Sequence, residues 1–287
     1  MAKLDVNGTT LEYVEKGAGV PVVLVHGSAS DYRTWHAQLD HFGERYRTLA
    51  YSRRYHWPNE PIPEGADYAM DQHVDDLQVF LRSLDEAPVH LIGHSYGAFV
   101  CLLLAIRDPR LIRTLVLAEP PVITLFVSNS PKPSEILRLM LRRPRTAVSI
   151  VHFGATGVGP AAAAAKRGDM EATMRISGSA ILGHEFYRRL SAARLAQVHA
   201  NAIKAEFLGS GFAHLDPAAV RMIQKPTLLV TGRRSPKLFH RLIDRLEELL
   251  PRAQGVEIPS ASHVMHEDNA PAYNEAVLSF LATGEAE

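Results

Sequence analysis

A single cysteine, Cys101, occurs among the 287 residues. An internal disulfide is therefore excluded, and the thiol, set in the apolar run AFVCLLLA, reads as a buried inert side chain. No sign of charge predominates, because lysine plus arginine and aspartate plus glutamate number 31 each; there is no field to concentrate nucleic acid or anionic lipid. Uninterrupted apolar runs of ~18 residues are missing, and the opening MAKLDVNGTTLEYVEKG lacks the apolar stretch of a signal peptide. The expectation is a soluble, cytoplasmic protein with no membrane partner and no nucleic-acid partner. A glycine-rich phosphate fingerprint and internal repeats are absent as well. What remains is a small molecule as the expected partner, and a homodimer is compatible with this composition.

The apolar runs that are present alternate between two kinds. VPVVLVHG (20–27), YRTLAYS (46–52), PVHLIGHS (88–95), LIRTLVLAEPP (111–121), PTLLVTG (226–232) and GVEIP (255–259) are short and bounded by turn residues, as buried strands are. Between them lie helical stretches such as DQHVDDLQVFLRSL (71–84) and FHRLIDRLEELL. The alternation predicts an α/β protein with a mainly parallel, doubly wound sheet and helices on both faces. From 122 to 215 the rhythm breaks: helical segments and the tract PAAAAAK follow one another with no buried strand. This stretch is expected to be a helical cap inserted into a core made of 1–121 and 216–287, at the strand ends where α/β sheets bind ligands. The TGEAE tail is expected to fray.

The run LIGHSYGAFV (91–100) places Gly93, Ser95 and Gly97 as Gly-x-Ser-x-Gly between a strand and a helix. Glycines there let neighbouring chain segments approach closely while a strained serine exposes its hydroxyl, so Ser95 is the candidate nucleophile. A serine needs a base within hydrogen-bond reach. Among 14 histidines, His263 lies on a short polar loop after the last strand and before the last helix, at the sheet edge that carries Ser95. His266 is the alternative base; His94, inside the turn, is expected to pack or line. His90 and His94 have a four-residue spacing, but along a strand, which sets their rings too far apart to share a metal. No metal and no cofactor are expected.

On these residues, together with His26-Gly27 after a strand, the chain resembles the α/β-hydrolase superfamily. The likeness covers 1–121 and 216–287, and no motif identifies the cap. It implies an oxyanion hole built from the backbone N–H groups of Tyr96 and Ser28, with a structural role for His26. Members of the superfamily commonly carry the catalytic acid after the strand here written PTLLVTG, yet Arg233, Arg234, Ser235, Pro236 and Lys237 follow it. The first carboxylate downstream, Asp244, falls on the charged face of a helix. Glu119, which ends the strand TLVLA before Pro120 and Pro121, is the candidate acid instead, as in some α/β-hydrolases with the acid after this earlier strand. Its alternative is an ion pair with a cap arginine or an anchor for the cap hinge. A second departure is YSRRYHWPNE (51–60), where relatives often have Asp-x-Arg-Gly-x-Gly; Tyr55 and Trp57 occupy the glycine positions and either wall the pocket or pack the loop. Trp35 either lines the entrance or staples a helix.

The expected reaction is hydrolysis of a small apolar carboxylic ester or lactone by a serine hydrolase of the carboxylesterase or lactonase type. His263 takes the Ser95 proton, the acyl group passes to Ser95, two N–H groups hold the oxyanion, and water activated by His263 releases the acid. Two other readings stand beside it: carbon–carbon bond hydrolysis or perhydrolysis with the same triad, and a non-catalytic small-molecule receptor. A complete set of Ser95, Glu119 and His263 argues against the receptor. Serine disfavours epoxide hydrolysis and dehalogenation, which in the superfamily use an aspartate. Phe126, Phe153, Phe186, Tyr187, Phe207 and Phe212, with Met140, Met170 and Met174, either form an apolar pocket or are the core of the cap.

Overall fold

The computed structural model describes residues 1–84, 86–201 and 203–284; the last three residues of the TGEAE tail lie outside them. Eight strands form one sheet: β1 (Ala2–Val6), β2 (Thr9–Lys16), β3 (Pro21–Val25), β4 (Arg47–Tyr51), β5 (Val89–His94), β6 (Ile112–Ala118), β7 (Thr227–Gly232) and β8 (Ala253–Ile258). Their spatial order is β1-β2-β4-β3-β5-β6-β7-β8. All neighbours from β4 to β8 run parallel, while β1 and β2 are antiparallel additions at one edge. The fold is thus α/β, mainly parallel and doubly wound.

Apolar runs alone do not reveal β1 and β2. They alternate, and their burial is partial, as edge strands with one wet face require. Asn7 and Gly8 join them with φ of 40° and 75°, both in the left-handed region that a tight hairpin turn needs.

Buried strands feed two cores. Along β3, Val23 and Val25 face one side and Val22 and Leu24 the other, as the two-residue period of a strand dictates. The first side packs the helices Met70–Ser83, Tyr96–Arg107 and Lys237–Leu249; the second packs His36–Phe42 and Ala270–Thr283. The order β4-β3-β5 reverses the direction in which strands are added, so the crevice at the carboxyl ends of β3 and β5 is where such a sheet opens.

Between β6 and β7 the described residues form no strand. Helices Pro133–Arg142 and Pro144–Phe153 lead through a wide turn at Gly154–Val158 into Gly159–Lys166, followed by Met170–Leu182, His184–Tyr187, Ala192–Ala200 and Lys204–Leu208. Pro144–Lys166 is one continuous helical stretch, long and apolar enough to cross a membrane by length and composition alone, which a search for uninterrupted apolar runs does not show. Ala147 and Ile150 on it are buried in the first core, and Phe153 meets Phe239 with ring centroids 6.4 Å apart. Polar ties of the insertion to the rest of the fold include Asn201, which donates to Asp31 at 2.7 Å, and Arg194, which donates to Glu267 at 2.9 Å.

Candidate active site

Ser95 follows β5 with φ 51° and ψ −120°, a strained conformation for a residue with a Cβ. Two glycines make the turn possible. A Cβ at Gly97 would collide with the carbonyl oxygens of Val25 and His26, and one at Gly93 with the backbone of Ala98. The Ser95 N–H donates to the Ala118 carbonyl at 2.8 Å, and its own carbonyl accepts from Phe99 at 3.1 Å. Strand, turn and helix thus fix the backbone while the Ser95 side chain stays half-buried among buried neighbours.

Glu119 lies one residue beyond β6, also at positive φ, 46°. Its carboxylate is fully buried. Oε1 accepts the Gly232 N–H at 3.0 Å, and Oε2 lies 2.6 Å from Nδ1 of His263. Gly232 must be glycine, since a Cβ there would strike the Ser262 carbonyl; the end of β7 therefore touches the loop that carries His263. Asp268 secures that loop by accepting from the Ser262 N–H at 2.7 Å and hydroxyl at 2.6 Å.

Burial dominates the electrostatics. It pushes the Glu119 carboxyl up, against the Gly232 N–H and the nearby Ser235 hydroxyl, and holds the His263 imidazole down, well below the ordinary histidine range. The two groups lie 2.6 Å apart, close enough for their titrations to be linked, and burial disfavours a charge on the His263 ring. With Nδ1 donating to Glu119, Nε2 is left as the acceptor. Nε2 is buried and has no hydrogen-bond partner among the described residues. Phe239 covers the ring at a centroid distance of 4.2 Å, and His94 packs beside it at 4.8 Å.

Ser28 follows β3 in the turn His26-Gly27-Ser28. A Cβ built on Gly27 would lie 3.1 Å from the Ser95 Cβ and 2.9 Å from His94 Nδ1, so this turn rests directly against the serine. His26 is buried; its Nε2 accepts the Arg53 N–H at 2.9 Å, so Nδ1 carries the proton and donates to the Gly27 carbonyl at 2.8 Å. Tyr96 is buried at the start of the helix Tyr96–Arg107. Its ring lies 6.0 Å from Phe212 of the insertion.

The remaining sequence candidates are placed elsewhere. Asp244 is exposed and pairs with Arg241 at 3.2 Å. His266 is buried, bonds Thr34 at 3.0 Å and stacks on Trp35 at 4.4 Å; Trp35 is fully buried in the second core and lines no entrance. Trp57 is 38% exposed, with the Arg33 guanidinium 3.6 Å from its ring centre, on the outside of the molecule. Tyr55 has φ 70°, the left-handed conformation that suits the glycine relatives carry there. Met140 is 38% exposed, whereas Met174 is buried. Residues that no sequence pattern marks also meet at the site: Phe239, Arg53, Tyr68 and Glu206. Only Arg53 leaves a trace, as half of a charged pair directly after a buried strand.

A strand, a tight turn with a strained serine and a helix, beside a histidine paired to a buried carboxylate, define a hydrolase-type α/β sheet. The chain belongs to the α/β-hydrolase fold family, whose model matches residues 20–270. Among relatives, an uncharacterised hydrolase of Bacillus subtilis, YraK, is 30% identical over 132 residues, 46% of this chain and 49% of that protein. The match thus spans about half the length of that relative. The 2-(acetamidomethylene)succinate hydrolase of Mesorhizobium japonicum is 24% identical over 97% of this chain and 94% of its own. Among solved structures, the enol-lactonase of Burkholderia xenovorans superposes with a TM-score of 0.74 at 19% identity, covering 98% of this chain and all of that one, and shares the fold.

Proposed function

We propose that the chain is a serine hydrolase that cleaves a carboxylic ester or lactone through an acyl-enzyme on Ser95. The observation that carries this reading is the 2.6 Å contact of Glu119 with His263, on a ring whose other nitrogen is buried and, among the described residues, unpartnered beside the Ser95 turn. In this reading Nε2 of His263 takes the Ser95 proton as the hydroxyl oxygen attacks the substrate carbonyl. Ser28 and Tyr96 N–H groups hold the resulting oxyanion. The imidazolium, stabilised by Glu119, then gives its proton to the leaving alkoxide. Water enters, loses a proton to the same nitrogen, and frees the acid. Because burial keeps His263 neutral in the resting site, the base is ready without prior deprotonation.

The insertion 122–215 serves here as the cap, and the rings of Phe212 and Phe239 make the substrate's preferred acyl group small and apolar. The test is a fluorophosphonate probe, which phosphonylates only an activated serine. Labelling at Ser95 that is lost in His263→Ala supports the reading; a wild-type chain that stays unlabelled while folded refutes it.

A further inference from the structure

Arg53 carries a full charge into the core beside the site, with its side chain 1% exposed. A buried cation is costly unless every donor is used, and its partners are specific. Nε donates to the His26 carbonyl at 3.1 Å, Nη2 to the Gly27 carbonyl at 2.9 Å, and Nη1 to the Tyr68 hydroxyl at 2.6 Å. The guanidinium also lies 4.5 Å from the centre of the Tyr96 ring. Arg53 therefore touches the segments that supply both oxyanion donors, Ser28 and Tyr96.

The Gly27 carbonyl and the Ser28 N–H belong to one planar trans peptide and point in opposite directions. Fixing the carbonyl toward Arg53 thus aims the N–H away from it. The same carbonyl accepts from Nδ1 of His26 at 2.8 Å, so two donors, one of them cationic, polarise this peptide; hydrogen bonds in series strengthen one another. The chain of bonds continues: the Tyr68 hydroxyl donates to Nε2 of His56 at 2.6 Å, and Nδ1 of His56 donates to the Ser30 carbonyl at 2.8 Å. The oxyanion turn is held at Gly27 and at Ser30 by one network centred on Arg53. The only acidic group near the guanidinium among the described residues is Glu206 of the insertion, 4.0 Å away, with both carboxylate oxygens buried and lacking a well-formed hydrogen bond. That distance is too long for a hydrogen bond, but the carboxylate offsets part of the guanidinium charge and also faces the Ser28 side chain and the Ala29 backbone of the same turn.

We propose that Arg53 is a positioning residue for the oxyanion hole: it orients and polarises the Gly27–Ser28 peptide and lends positive potential to the tetrahedral intermediate. The inference rests on the serine-hydrolase reading, since it needs an oxyanion at Ser28. Its signature is selective loss of transition-state binding.

The experiment compares wild type, Arg53→Met, Arg53→Lys, Tyr68→Phe and Glu206→Gln, with p-nitrophenyl acetate as substrate and a trifluoromethyl ketone as the tetrahedral inhibitor. Arg53→Met should lower kcat by ~10²–10³ with KM nearly unchanged, and weaken the inhibitor by a similar factor, the range found when an oxyanion donor is lost. Arg53→Lys should recover little, because one ammonium cannot fork to both carbonyls. Tyr68→Phe, the gentler change should Arg53→Met not fold, should lower kcat about tenfold or somewhat more at constant KM, since a charge-assisted bond holding the guanidinium contributes at least about that much. Glu206→Gln should act in the opposite sense and tighten the inhibitor several-fold, because a carboxylate facing the guanidinium offsets its charge. Equal effects on KM and kcat, or a folded Arg53→Met with wild-type kcat, overturn the inference alone. Wild-type turnover that survives Ser95→Ala overturns the serine reading and this inference with it.

Discussion

Six histidines outside the Glu119 pair are buried where a charge is disfavoured, and this makes a strong demand on pH. His26, His56, His73, His90, His94 and His266 are all at most 6% exposed, and burial lowers each, His26 to about 3 and His90 to about 4. For His73 both ring nitrogens lack partners among the described residues. Because the folded values lie below the unfolded value near 6.5, only the unfolded chain binds protons as pH falls through that value, and stability falls with it. Between pH ~7.5 and ~5.5 one such histidine costs about 1.4 kcal/mol, hence about 8 kcal/mol for the six if none relaxes. Glu206, raised by burial, works the other way and offsets part of this loss. Even half of the remainder is comparable with a typical domain's total stability of ~5–15 kcal/mol. Urea unfolding followed by circular dichroism across this range should show a drop of at least ~3 kcal/mol. His73→Leu should remove about 1.4 kcal/mol of that drop. A flat or rising stability toward pH 5.5 would refute the reasoning, as would a His73→Leu profile parallel to wild type.

Glu119→Gln keeps shape but loses charge, so kcat should fall by about two to four orders of magnitude, while Asp244→Asn, altering an exposed helical residue, should leave it unchanged; steady-state kinetics that rank them the other way would move the acid to the later strand. Ser95→Ala should abolish turnover and leave the melting temperature within a few degrees of wild type, checked by calorimetry alongside the assay. Gly97→Ala should cost at least ~3 kcal/mol or prevent folding, because the new Cβ meets two backbone carbonyls that cannot step aside; a soluble variant with wild-type melting would contradict the packing described.

The parallel sheet was legible because β3 to β7 are buried on both faces and so read as continuous apolar runs, whereas β1 and β2 at the wet edge do not. Their one sharp signal, Asn7-Gly8, is a turn motif and not a hydrophobic one. The helix Pro144–Lys166 escaped for the opposite reason: polar residues interrupt its apolar face without ending it. At the site, Ser95 and His263 sit where local pattern suffices, in a glycine-flanked turn and in a loop between a strand and a helix. Glu119 was reached through the missing carboxylate after Gly232, an argument by position. Arg53 left only a trace and Glu206 none, since the meaning of each lies in contacts between segments that the fold, not the local pattern, brings together.

A carboxylate placed after β6 frees the turn after β7 for another task. Arg234, two residues past Gly232, reaches the insertion, donating to Glu185 at 2.8 Å with its guanidinium 5.2 Å from the Phe186 ring. The seam for exchanging insertions between relatives is therefore not symmetric. A graft must begin beyond Glu119, or it removes the partner of His263. At the far end it should carry Arg234 along, or the transplanted helices lose a tether that a chain with its acid after β7 has no spare turn to supply.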